Sequence, residues 1–116
     1  MSLDPELNEL LNTLVHGRTP EQINAGRDIF AFGKEAVIPL LDLLANPENS
    51  HCWWLIAEAL GAIGDCHAVE PLIALLKSPQ SHDALLARKY TAWALGGLHD
   101  PRAVDVLIEM LHEKDL

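Results

Sequence analysis

The side chains able to do chemistry are few and widely spaced. Cys52 and Cys66 each stand beside a histidine, His51 and His67, and such neighbours raise a disulfide or a zinc site. The spacing argues against both. Helical patterning places Cys52 at the start of one helix and Cys66 at the start of the next, roughly 20 Å apart at 1.5 Å rise per residue. A disulfide needs Cα atoms within about 7 Å, and zinc ligands converge to about 2 Å from the metal. Two separate free thiols are expected, with no metal and no cofactor. The histidines fall at helix ends and turns, and HExxH, GxSxG and phosphate-cradling glycine loops are missing. The residues make no case for catalysis.

Aromatic residues give a sharper signal. Trp53, Trp54 and Trp93, with Tyr90, stand near the basic pair Arg88-Lys89. Trp54 and Glu58 are four apart on one helix face, and Lys89 and Trp93 hold the same places one repeat later. The two pairs are therefore expected side by side. Tryptophan is enriched where a partner will cover it. Trp53, Trp54, Arg88, Lys89, Tyr90 and Trp93 are candidates for a partner-binding outer wall. Two alternatives stand beside this: the rings fill gaps between helices, or they hold a ligand.

The elements that position these residues are repeated. AEALGAIGDCHAVEPLIALL begins at Ala57 and AWALGGLHDPRAVDVLIEML at Ala92, 35 residues on and without a gap. A weaker copy, FGKEAVIPLLDLL, runs from Phe32, with Asn46-Pro47 at its exit matching Ser78-Pro79. Self-similarity at this period signals stacked repeats that bury one another's apolar faces. Each unit reads as two helices. Gly64 ends a helix in the left-handed conformation, and Asp65 and Asp100 cap the helices that follow. Pro39 and Pro71 are expected to bend their helices from about a turn and a half inside. Thr19-Pro20-Glu21-Gln22 reads as a capping box. Gly26 reads as a point of close helix packing. Asp4-Pro5 opens an N-terminal helix, for seven helices in all. The expected division is a cap helix at 4–17 and repeats at 19–46, 50–78 and 81–114.

Charge narrows the partners. Acidic residues outnumber basic ones by 17 to 8, and the basic ones are scattered. That disfavours nucleic acid and anionic membrane, which need clustered Lys and Arg. No run approaches the roughly 18 apolar residues of a membrane span. The first residues, MSLDPELNEL, lack a signal-peptide pattern, so a cytoplasmic location is expected.

The motif ALGAIGDCHAVEPLIALL, Ala59 to Leu76, and its less perfect copy from Ala94 to Leu111 resemble the HEAT-like repeat of the phycobilisome lyase type. The resemblance spans residues 21–113. It implies an all-α, right-handed superhelix of three helical hairpins behind an N-terminal capping helix. It implies function only loosely, from scaffolds without chemistry to bilin-attaching lyase subunits. The family usually has Arg early in the first helix of each unit; Arg88 keeps it and Trp53 does not. The iron-binding His-Glu pairs of related hydroxylases are represented only by His112-Glu113.

In that fold the second helices line an inner, concave wall. Its solvent-facing places, in register, are Ile38, Glu70 and Asp105, then Asp42, Ala74 and Glu109. Asp42, Glu70, Asp105 and Glu109 would draw a basic peptide or protein, or form an ordinary solvated face. The first reading is a non-enzymatic protein-interaction module, and the partner is a basic protein or a second copy of the chain. The alternative is a phycobilin lyase subunit-like or phycobilisome-processing factor acting on phycobiliproteins. A bilin enters only under that alternative.

Overall fold

A computed structural model describes residues 4–77 and 85–112, with side chains described up to 77 and from 89 to 109. Seven α-helices run through them: α1 (Pro5–His16), α2 (Thr19–Phe30), α3 (Val37–Leu44), α4 (Trp53–Ile63), α5 (Val69–Lys77), α6 (Leu85–Leu98) and α7 (Pro101–His112). Three 3-10 turns, Gly33–Ala36, Pro47–Cys52 and Cys66–Ala68, join them, and no strand occurs among the described residues. The helices form two layers. First helices α2, α4 and α6 pack side by side, second helices α3, α5 and α7 lie behind them, and α1 closes one end against α2. The closest packing is between α4 and α6.

The repeat explains the core. Leu60, Val69 and Leu72 of one hairpin and Leu95 and Ala103 of the next are all essentially buried, and Leu40 is their counterpart in α3. Each fully buried Leu or Val contributes about 1.5–3 kcal/mol of transfer free energy. Between the layers the chain makes the same left-handed step each time, at Gly33 (φ 59°), Gly64 (φ 79°) and His99 (φ 54°). Glycine takes that conformation without strain; histidine does so at some cost. The Gly64 amide donates to Leu60 O at 3.1 Å, closing α4.

Capping follows the acidic residues. Asp4 Oδ1 accepts from the Glu6 and Leu7 amides, Asp65 Oδ1 from the His67 amide at 2.8 Å, and Asp100 Oδ1 from the Arg102 amide at 2.9 Å. Asn46 caps the turn after α3 through Glu48 N; its sequence counterpart Ser78-Pro79 lies outside the described residues.

Three local expectations are corrected. The capping box at Thr19 does not form: α2 starts at Thr19 itself, preceded by Arg18, which makes no side-chain cap. Gln22 instead donates its Nε2 to Leu14 O at 2.9 Å, and His51 Nε2 donates to Val15 O at 2.8 Å. These two bonds satisfy carbonyls that the end of α1 leaves open, so tertiary need overrides the local motif.

Pro39 and Pro71 are not deep inside helices. In each hairpin a 3-10 turn precedes the helix, so each proline is the third residue of its α-helix. Its missing amide falls where no intrahelical acceptor exists. With Val106 at the equivalent place, α7 runs unbroken from Pro101.

Gly26 is not the tight contact. A Cβ there would meet only Leu14 Cδ1, at 3.9 Å. The tight contact is Gly61, where an added Cβ would stand 2.6 Å from the Ala94 Cβ and 2.7 Å from its Cα.

Candidate functional site

Helices α2, α4 and α6 present the outer wall. Trp53, assigned to it on sequence, is not there. It is 4% exposed and joins the buried core, because it shares the inward stripe of α4 with Ala57 and Leu60. Its indole Nε1 is buried without a hydrogen-bond acceptor. Trp54, one residue on, is half-buried and stacks against Tyr90 of α6, ring centroids 5.2 Å apart and tilted by 52°. That contact helps bind α4 to α6. The side chain of Arg88 lies outside the described residues.

Trp93 is the exposed ring. It stands 56% accessible on α6, with one edge, Cζ3, over the Gly61 position. Beside it, Glu58, Lys89 and Tyr90 line a shallow depression of about 350 Å³. A second groove, of about 290 Å³, runs on toward α2 and is lined by Gly26, Arg27, Phe30, Glu58, Ala59, Ala62 and Trp93. Phe30, absent from the sequence-based candidates, is 51% exposed. It holds the place in the first unit that Gly61 holds in the second, three residues before the left-handed glycine.

The geometry has a simple cause. At Gly26 of α2 an added methyl would reach nothing of α4 and only Leu14 of α1, whereas at Gly61 α4 and α6 touch. The looser joint opens the groove, and small side chains (Gly26, Ala59, Ala62) keep its floor low. An aromatic ring at either side and an Arg27/Glu58 polar fringe leave a concave, mostly apolar surface.

The second-helix wall carries the acidic residues. Asp42, Glu70, Asp105 and Glu109 are all exposed, as are Ile38 and Ala74 between them. Glu70 is not a free charge. Arg102 Nη1 donates to Glu70 Oε1 at 3.1 Å, while Arg102 Nη2 donates to Asp100 Oδ2 at 2.8 Å. Arg102 thereby ties the third hairpin to the second. Hydrogen bonds from the Arg102 side chain, then from its amide, pull the Asp100 carboxyl down to about 2. Asp65 is lowered too, first by the His67 amide and then by the His67 ring. No local pattern names this network, since Arg102 and Glu70 belong to different hairpins and meet only when these stack.

The cysteines are separate. Cys52 is buried, donates to Asn49 O at 3.2 Å, and is pushed up to about 11 by desolvation; Cys66 is exposed. Asp65, Cys66 and His67 place one potential ligand atom each within 4.8 Å of one another at the turn before α5. The Asp65 Oδ1 of that trio is already taken by the His67 amide and by His67 Nδ1 at 2.6 Å. The turn reads as a capping structure.

The family comparison decides the class. The PBS lyase HEAT-like repeat model matches residues 54–78 and 87–113. These two stretches are PBS lyase HEAT-like repeats. No curated protein and no solved structure matches it. The first matched HEAT-like repeat takes in α4, the Gly64 step and α5; the second takes in α6, the His99 step and α7. Lys89, Tyr90 and Trp93 fall inside the second. Helices α2 and α3, with Phe30 and the left-handed Gly33, lie outside both matches and extend the stack. Among the described residues, no helix is long and apolar enough to cross a membrane.

Proposed function

We propose that this HEAT-like repeat chain is a non-enzymatic, protein-binding module that docks a partner on its outer wall. The observation that supports this is the pairing of Trp93 and Phe30, 56% and 51% exposed, on either side of the small-residue groove between α2 and α4. Large rings left half in water around a concave apolar floor are the usual anchors of an interface. Trp54 of α4, with Lys89 and Tyr90 of α6, extends the same surface. The acidic second-helix wall (Asp42, Glu70, Asp105, Glu109) favours a basic partner and disfavours nucleic acid. The partner is a protein in the same compartment, here taken as the cytoplasm, or a second copy of the chain. Affinity capture from the native host should lose its partner at least tenfold with Phe30→Ala/Trp93→Ala. Those changes should alter stability by less than about 1 kcal/mol, since both rings are largely exposed. Full capture by the double variant would refute the outer-wall reading.

The family description favours a second reading, a phycobilin lyase subunit-like or phycobilisome-processing factor acting on phycobiliproteins. In that case the outer-wall groove would face a phycobiliprotein or its bilin. Mixing with phycocyanobilin, alone and with an apo-phycobiliprotein, should then change the visible absorbance. An unchanged spectrum in both mixtures would remove this reading and leave the first standing.

A further inference from the structure

A larger concavity than the aromatic groove lies elsewhere among the described residues, beside α1. Helix α1 packs on α2 and touches the turn before α4, but it stands away from α3. Between α1 and α3 runs an open trough of about 1160 Å³. Its apolar floor is Leu11, Val15, Ile38, Pro39 and Leu43. Ile38 is 63% exposed, the most exposed of the chain's large aliphatic side chains among the described residues.

Four carboxylates line the trough: Glu9 from α1, Glu35 from the turn before α3, Asp42 from α3 and Glu48 from the turn after it. No lysine or arginine lines it. Among the described residues none of the four carboxylates has a basic partner within 4 Å, in contrast to Glu70 and Asp100, which share Arg102. The walls are well anchored. Gln22 and His51 hold the end of α1 through Leu14 O and Val15 O, and Asn49 Nδ2 donates to Leu43 O at 3.0 Å on the far side.

We propose that the α1/α3 trough is a docking site for a basic amphipathic helix of a partner protein. The apolar stripe of that helix covers Ile38, Val15 and Leu43, and its lysines or arginines meet Glu9, Glu35, Asp42 and Glu48. A third helix laid between two others buries an apolar stripe while leaving its flanks in water. Acidic groups on both rims match cationic flanks on both sides of such a stripe and repel acidic helices and nucleic acid. The site names a partner chemistry for the protein-binding reading, but uses different residues from the outer wall and can fail or hold without it.

The test uses a fluorescein-labelled Leu/Lys amphipathic helical peptide, titrated against the full chain and followed by anisotropy. Polylysine of equal length and a Leu/Glu analogue serve as controls, and amide NMR shifts map the contact. The peptide should bind in competition with salt, perturb α1 and α3, and exceed either control by at least about tenfold in affinity. Ile38→Asp and Glu9→Lys/Asp42→Lys should each weaken it about tenfold with unchanged far-UV circular dichroism, while Trp93→Ala leaves it unaltered. These are exposed positions, so folding is preserved. The absence of binding overturns the proposal. So does polylysine binding as tightly as the peptide, insensitivity to both trough variants, or shifts centred on α6.

Discussion

The joint between α4 and α6 and the joint between α2 and α4 both pair successive first helices and behave differently. Gly61 stands three residues before the left-handed Gly64; in the first unit that place, three before Gly33, is Phe30, and Gly26 lies one turn further back. At Gly61 the neighbouring backbone is so near that a methyl would meet Ala94 at 2.6 Å; at Gly26 a methyl would meet nothing of α4 within 4 Å, and only Leu14 of α1 at 3.9 Å. Successive joints of the stack therefore need not be equally close. The tight joint seals the core, and the loose one leaves the groove that Phe30 and Trp93 flank. Function, in this reading, sits where the repeat packs less perfectly.

Replacing the glycines one at a time breaks that comparison most sharply. Gly61→Ala should be the most damaging, at about 1–3 kcal/mol, because helices α4 and α6 must part to admit the methyl. Thermal or urea unfolding reads this directly, and an unaltered midpoint would mean the joint is not close. The third member of the turn series comes next. His99 holds the left-handed step that Gly33 and Gly64 make freely, so His99→Gly should raise stability by about 0.5–1 kcal/mol after the added freedom of the unfolded chain is subtracted. A loss there would show that the histidine side chain stabilises the turn. Gly26→Ala should also be favourable, by about 0.5–1 kcal/mol, since a helix-interior glycine is replaced where room exists. If it instead destabilises as Gly61→Ala does, α2 has no more room at Gly26 than α4 has at Gly61.

The smallest effect concerns the seam between the second and third hairpins. The Asp100 carboxyl is lowered by Arg102, so its contribution is present at neutral pH and fades as pH falls from the ordinary 3.8 toward about 2. The urea midpoint should decline over that window, and less so in Asp100→Asn. An identical decline in that variant would assign the acid sensitivity elsewhere.

Much of this was legible in the sequence, and the reasons are local. The 35-residue copy dictates that equivalent apolar residues share a core, and Leu60 and Leu95 do. Gly64 and Asp65 announce a left-handed stop and a cap because each acts through its own backbone. What was illegible depends on neighbours that no local pattern names. Trp53 fits a helix face that could point either way, and the packing of α3 and α5 against it turned it inward. Gln22 serves the end of α1 rather than its own helix start. Whether a glycine is needed depends on how far away the next helix lies. The trough beside α1 was invisible for the same reason, being a gap between elements rather than a property of either.

The central claim is that the hairpins stack in register through Gly61 and Ala94. A double-mutant cycle of Gly61→Ala with Ala94→Gly tests it most directly, by unfolding free energies of the four proteins. If the two positions touch, shrinking Ala94 should restore part of what Gly61→Ala removes, and the double variant should be more stable than the sum of its parts. Strictly additive losses would contradict the stacked register and the loose joint beside it.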